Sequence, residues 1–143
     1  MKKANNIAVV GATGMVGQTF LKILEKNYFQ ESNINLLASS NSKGKEIVLR
    51  GQNHIVEDLA EFDFSNTDLA LFSAGSSVSS VYAPKAVSQG CVVVDNSSCF
   101  RYHDDIPLVV PEVNPHALDG YELPGIIANP NCSTIQMLVA LKP

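Results

Sequence analysis

Ile7-Ala-Val-Val-Gly-Ala-Thr-Gly-Met-Val-Gly17 joins a compact apolar run to three glycines spaced three apart, and Val16, Phe20, Ile23 and Leu24 then recur at helical spacing. Strand, tight turn and amphipathic helix in that order predict the opening of a βαβ unit, which a second apolar run, Ile34 to Ala38, completes. In such a unit the turn and the helix N-terminus present backbone N–H groups to an anion, and a dinucleotide pyrophosphate would rest there. Gly11 and Gly14 suit the turn, Gly17 allows close packing of helix on strand, and Thr13 can add a hydroxyl contact. The spacing is G-x-x-G-x-x-G, which departs from the commonest dinucleotide fingerprint, so a loop of different conformation is expected. A purely structural glycine turn is the alternative.

The rest of the chain repeats the alternation. Leu69 to Ser73 and Val92 to Asp95 read as buried strands, separated by a helix from about Val78 to Ser88 that stops near Gly90. Ile126 to Ala128 is the last strand, and the stretch from Lys43 to Phe64 is ambiguous, with one or two edge strands around Ile47 to Leu49 and His54 to Val56. Short apolar strands alternating with helical patterns predict an α/β fold: a Rossmann-like, doubly wound, mostly parallel sheet with helices on both faces, in one domain over residues 1–143.

With 143 residues, 45% hydrophobic and 17% charged, the chain can bury one ordinary core and is neither disordered nor fibrous in composition. A net charge of -4, with Lys2 and Lys3 too few to form a basic arm, argues against nucleic acid as a partner. No apolar run is long enough to span a membrane, and the polar start from Met1 to Asn6 lacks the apolar core of a signal peptide. Cys91, Cys99 and Cys132, odd in number and without C-x-x-C spacing, argue against a disulfide framework or a metal site and for the cytoplasm.

Four segments carry candidate chemistry. Asn129-Pro-Asn-Cys-Ser-Thr134 places a cysteine at the start of an apolar helix-forming run, with Asn129 as expected N-cap and Pro130 at the first helical position. The helix N-terminus would favour the thiolate of Cys132, and its free N–H groups could hold an oxyanion formed by attack on a carbonyl. A small core cysteine is the alternative. After the second strand comes no acidic residue to accept a ribose hydroxyl, but Ser39, Ser40, Asn41, Ser42, Lys43 and Lys45, hydroxyls, an amide and cations that suit a 2′-phosphate and favour NADP over NAD. A solvated polar turn is the other reading. At the ends of later strands, Ala74 and Gly75 are small enough to admit a cofactor to the backbone, and Arg101 offers a planar fork for a phosphate or carboxylate, or else pairs at the surface with Asp104 or Asp105. His54, His103 and His116 read as structural or exposed, and Cys91 and Cys99 as core residues of a strand and a loop.

Gly11-Ala-Thr-Gly-Met-Val-Gly17, Phe72-Ser-Ala-Gly75, Asp95-Asn-Ser-Ser98 with Phe100-Arg101, Val110-Pro-Glu-Val-Asn114 and Asn129-Pro-Asn-Cys-Ser-Thr134 together resemble the aspartate-β-semialdehyde dehydrogenase family. The related N-acetyl-glutamyl-phosphate reductases typically put glycine before the cysteine and an aromatic residue after it, where this chain has Asn131 and Ser133. The resemblance implies phosphate-dependent, reversible oxidation of L-aspartate 4-semialdehyde to 4-phospho-L-aspartate with NADP, in lysine, threonine, methionine and diaminopimelate synthesis, by a homo-oligomer. It assigns Cys132 as the nucleophile that forms an acyl thioester, and Arg101 and Asn131 to substrate or phosphate. Thr13, Gly14, Met15 and Val16 would line the pyrophosphate, with Asn41 and Ser42 beside the 2′-phosphate. Family members run more than twice the length of this chain, and their catalytic histidine falls in the part that has no counterpart in it, so the resemblance implies a cofactor-binding domain that turns over poorly by itself. A reductase of N-acetyl-glutamyl phosphate, or a dinucleotide-binding module without chemistry, are the alternatives.

Overall fold

The computed structural model describes residues 4–26 and 29–142; Lys2, Lys3 and Pro143 lie outside them. In chain order the elements are β1 (Asn6–Val10), α1 (Met15–Lys26), β2 (Asn33–Ala38), β3 (Glu46–Leu49), β4 (Gln52–Ile55), β5 (Glu57–Asp58), β6 (Leu69–Phe72), α2 (Ser76–Ser88), β7 (Val92–Asp95), β8 (Ile126–Ala128) and α3 (Cys132–Leu141). Six strands form one sheet in the order β5-β2-β1-β6-β7-β8, and every pairing in it is parallel. The chain winds outward from β1 in one direction through β2 and in the other through β6, so the strand order reverses between β1 and β6. The fold is the expected Rossmann-like α/β sheet.

Alternation along β1 shows that helices cover both faces. Ile7 and Val9 are packed with Leu21 and Leu24 of α1, whereas Ala8 and Val10 belong to the cluster that includes Ala83 and Ala86 of α2. Ile7 to Val10, four of the five β1 residues, are fully buried, as a central parallel strand with two covered faces requires. The buried stripe of α1 is Gly17, Leu21 and Leu24; of the predicted Val16, Phe20, Ile23 and Leu24, only Leu24 belongs to it. Val16 and Ile23 are exposed and Phe20 is only half-buried, because contact through Gly17 rotates the packed face toward the residues on its own side of the helix.

Two further boundaries differ from expectation. Helix α2 starts at Ser76, two residues before Val78, because Gly75 at φ +91° turns the chain and its carbonyl accepts the Ser79 N–H at 3.0 Å. In the ambiguous region β3 and β4 form an antiparallel hairpin apart from the main sheet, and only the two-residue β5 adds to the sheet edge. The hairpin turns on Arg50 and Gly51, both at positive φ, the two-residue geometry that matches strand twist. Arginine is a poor residue for that position, but here its guanidinium donates to the carbonyls of Phe29 and Ser32 and its N–H to Glu25. These remote acceptors override the local preference.

A Cβ on Gly17 would lie 2.2 Å from the carbonyl oxygen of Gly11, backbone against backbone, with no flexible side chain to yield. Gly17→Ala is therefore expected to destabilise the fold by about 3 kcal/mol through overpacking at the turn, read as a lowered midpoint in urea unfolding; an unchanged midpoint would refute the close packing.

Candidate functional site

A cleft of about 530 Å³ opens at the carboxyl ends of β1, β2 and β6, where the strand order reverses and where open α/β sheets take ligands. Its floor is the glycine turn, held by hydrogen bonds from the N–H groups of Gly11 and Ala12 to the Leu37 carbonyl at 2.8 and 3.1 Å. Gly11 sits at φ +87°, and a Cβ there would meet Ser73 Oγ at 2.9 Å, so glycine is required both by the turn and by the neighbouring loop. Gly14 N donates to Gly11 O, and Gln18 N to Gly14 O begins the α1 ladder. That leaves the first-turn N–H groups of α1 without intrahelical acceptors beside the cleft. Ser39, Ser40 and Asp58 form one rim; Ala74, Val78 and Tyr82 line the other side.

Three strands away along the same edge, about 14 Å at the ~4.8 Å strand spacing, lies Cys132. A lattice of polar groups holds its segment. Asn129 N donates to the Asp95 carbonyl at 2.8 Å, Asn129 Nδ2 to Asn96 Oδ1 at 2.6 Å, and Asn96 N to the Phe72 carbonyl at 2.9 Å. Arg101 bridges the two loops, with Nε donating to Asn129 O and Nη2 to Asn96 O, both at 3.0 Å. Beneath them the fully buried Asp95 carboxylate accepts from Ser79 Oγ and Ser97 Oγ, both at 2.6 Å, so each oxygen of a carboxylate removed from water has a hydroxyl donor.

This lattice corrects the predicted capping. Asn129 is fastened to the β7 loop, so Asn131 is the N-cap of α3, its side chain accepting from Ser133 N at 2.9 Å, and Cys132 is the first helical residue. Pro130 precedes the helix. Cys132 is exposed, not a core thiol, and Ser133 N–H is taken by the cap, leaving the N–H groups of Cys132 and Thr134 to serve an oxyanion. Burial pushes the Cys91 thiol up to about 12, with a smaller effect of Asp68, and Cys99 is raised for the same reason with help from Asp95. Among the described residues Arg101 makes no ion pair with Asp104 or Asp105; it is half-buried, and Nη1 has no protein partner.

The structure brings Gly11, Thr13, Gly14, Ser39 and Ala74 together around the cleft. Met15 and Val16 are exposed on the first turn of α1, Gly17 is packed beneath the turn, and Gly75 caps α2. Asn41 and Ser42 lie on a 3₁₀ turn just past Ser39, outside the cleft lining. Lys43 is held by Glu61, whose hydrogen bond and charge raise its pKa, while Lys45 Nζ reaches Ser42 Oγ at 3.3 Å. His103 and His116 are exposed and His54 half-buried. What sequence reasoning missed is Asp58: no acid follows β2 in the chain, but β5 pairs with β2 so that Asp58 stands opposite Ala38 and enters the cleft rim. Only the parallel pairing of a two-residue strand puts it there.

Residues 6–121 match the family described as semialdehyde dehydrogenase, NAD binding domain. Over all 143 residues the chain is 62% identical to an aspartate-semialdehyde dehydrogenase of Legionella pneumophila and 52% identical to aspartate-semialdehyde dehydrogenase 2 of Vibrio cholerae. It spans 41% and 42% of their lengths. Among solved structures, aspartate semialdehyde dehydrogenase II of Vibrio cholerae complexed with ASA superposes with a TM-score of 0.92 at 52% identity, covering 99% of this chain and 46% of that one. The Candida albicans enzyme with NADP gives 0.82 at 32% identity, again covering 99% and 46%. The glycine turn, the cleft at the strand reversal and these matches have one explanation: the chain belongs to the semialdehyde dehydrogenase family, whose dinucleotide-binding domain it carries.

Proposed function

We propose that the chain is the cofactor domain of an NADP-dependent aspartate-semialdehyde dehydrogenase, a cytoplasmic homo-oligomer that interconverts L-aspartate 4-semialdehyde and 4-phospho-L-aspartate for lysine, threonine, methionine and diaminopimelate synthesis. The observation that carries it is an exposed cysteine, Cys132, at the first position of a capped helix on the same sheet edge as the dinucleotide cleft. The glycine cradle fits a pyrophosphate, since the space a Cβ would fill at Gly11 and Gly17 is what brings turn, helix and Ser73 loop together. NADP, when bound, supplies the hydride acceptor or donor. Cys132 Sγ attacks the semialdehyde carbonyl and later carries the acyl group as a thioester, which phosphate cleaves. The N–H groups of Cys132 and Thr134 face the charge that develops on the carbonyl oxygen, and Asn131 orders that turn through its cap. Arg101 offers its unpartnered Nη1 to the phosphate while its other nitrogens hold the loops of Asn96 and Asn129 in place.

Preference for NADP rests on hydroxyls at the rim and a cation on the turn just past it. Ser39 and Ser40 line the cleft and Lys45 stands nearby on Ser42, but Lys43 is paired with Glu61, so the preference is modest. Calorimetry of the purified chain should give tighter binding of NADP than of NAD, by about tenfold, and Lys45→Ala should remove most of that ratio while leaving NAD binding unchanged. Equal binding of both by the parent chain would count against the 2′-phosphate site.

Iodoacetamide at pH 8 should label Cys132 first, Cys99 slowly and Cys91 hardly at all in the folded chain, as peptide mapping would show, because Cys91 is fully buried with its thiol pushed up to about 12. Added NADP should slow the labelling of Cys132. An inert Cys132 in a chain that still binds NADP would instead favour a dinucleotide-binding module without chemistry.

A further inference from the structure

We propose that Asp58 reads the base of the dinucleotide: its carboxylate accepts a hydrogen bond from the 6-amino group of adenine, so the cleft selects a 6-amino purine over a 6-keto purine. This rests on the dinucleotide-binding function proposed above.

Position along the sheet edge supports the assignment. The pyrophosphate cradle is the turn after β1; the residues after β2, Ser39 and Ser40, are one strand farther out; Asp58, opposite Ala38 on β5, is a second strand out, about 10 Å from the cradle at ~4.8 Å per strand. An extended nucleotide laid outward from its phosphate thus meets the hydroxyls with its ribose and Asp58 with its base. The cleft's surroundings there suit a flat apolar ring. Leu59 and Ala60 follow Asp58 directly, and Val78 and Tyr82, one turn apart on α2, line the same cleft.

Chemistry then decides which base. Asp58 Oδ1 accepts from Ala60 N at 3.0 Å, which fixes the carboxyl group in an Asx turn and leaves Oδ2 as an acceptor. Lys43, whose pKa is raised chiefly by its hydrogen bond and charge contact with Glu61 and only lastly by Asp58, is bonded to Glu61. An ionised carboxylate has acceptors only, and at position 6 adenine presents an amino donor where hypoxanthine presents a keto oxygen, which would set acceptor against acceptor there; the N1–H of hypoxanthine lies at the neighbouring position. A site arranged to accept from an amino group rejects the analogue that lacks it.

The test is calorimetry of the chain with NADP, with its hypoxanthine analogue and with NAD, on the parent and on two variants whose folding is checked by circular dichroism. The parent should bind NADP about tenfold more tightly than the hypoxanthine analogue. Asp58→Asn keeps the acceptor for Ala60 N but presents an amide N–H₂ to the base, so it should reverse the preference in favour of the 6-keto analogue; Asp58→Ala should bring the ratio close to one. Equal binding of the two bases by the parent would overturn the proposal. So would an Asp58→Asn variant that changes the NADP to NAD ratio and leaves the base ratio alone, because the carboxylate would then face the ribose. Failure of the parent chain to bind any of the three would instead overturn the dinucleotide function itself.

Discussion

Close approach of two backbone segments, Gly17 in α1 against the carbonyl of Gly11 at the end of β1, is the constraint on which the rest of the molecule depends. It sets how near the helix lies to the sheet and therefore which residues of α1 become core: Leu21 and Leu24 on the side of Gly17, with Val16 and Ile23 left in water. The same contact aims the first turn of α1 at the space above β1. Gly11, free of a Cβ, lets the Ser73 loop close the other side. A binding cleft results from packing geometry before any side chain contributes a specific contact.

The second organising feature lies at the β7 and β8 ends and is polar. Asp95 is fully buried yet satisfied by two serine hydroxyls, and its backbone carbonyl holds Asn129. The amides of Asn96 and Asn129 and the guanidinium of Arg101 then tie the two loops into one rigid edge. Buried polar networks of this kind define a single arrangement because any alternative strands a donor or acceptor. Their consequence is local: the chain leaves β8 in one direction, Asn131 falls at the cap, and Cys132 is presented at the surface with ordered N–H groups beside it.

Much of this was legible in the residues. The run from Ile7 to Gly17 carries strand, turn and helix, and β7 and β8 fall where the short, mainly apolar runs Val92 to Asp95 and Ile126 to Ala128 place them. The region between β2 and β6 was not legible. Its hairpin turns on an arginine whose acceptors lie at Glu25, Phe29 and Ser32, and its sheet contribution is two residues long, too short for any periodicity. The capping of α3 was misplaced by two residues for a similar reason: Asn129 and Asn131 are equally good caps locally, and a partner on another loop, Asn96, decides between them.

By itself the sequence determined the fold class, the glycine turn, and the cysteine at a helix start, since each follows from short-range sterics and the period of apolar residues. Tertiary structure alone decided which face of α1 is buried, what Arg101 holds, and that Asp58, far past the end of β2 in the chain, stands at its side. Those outcomes depend on hydrogen bonds and strand pairings between segments distant in the chain, whose energies no local pattern encodes.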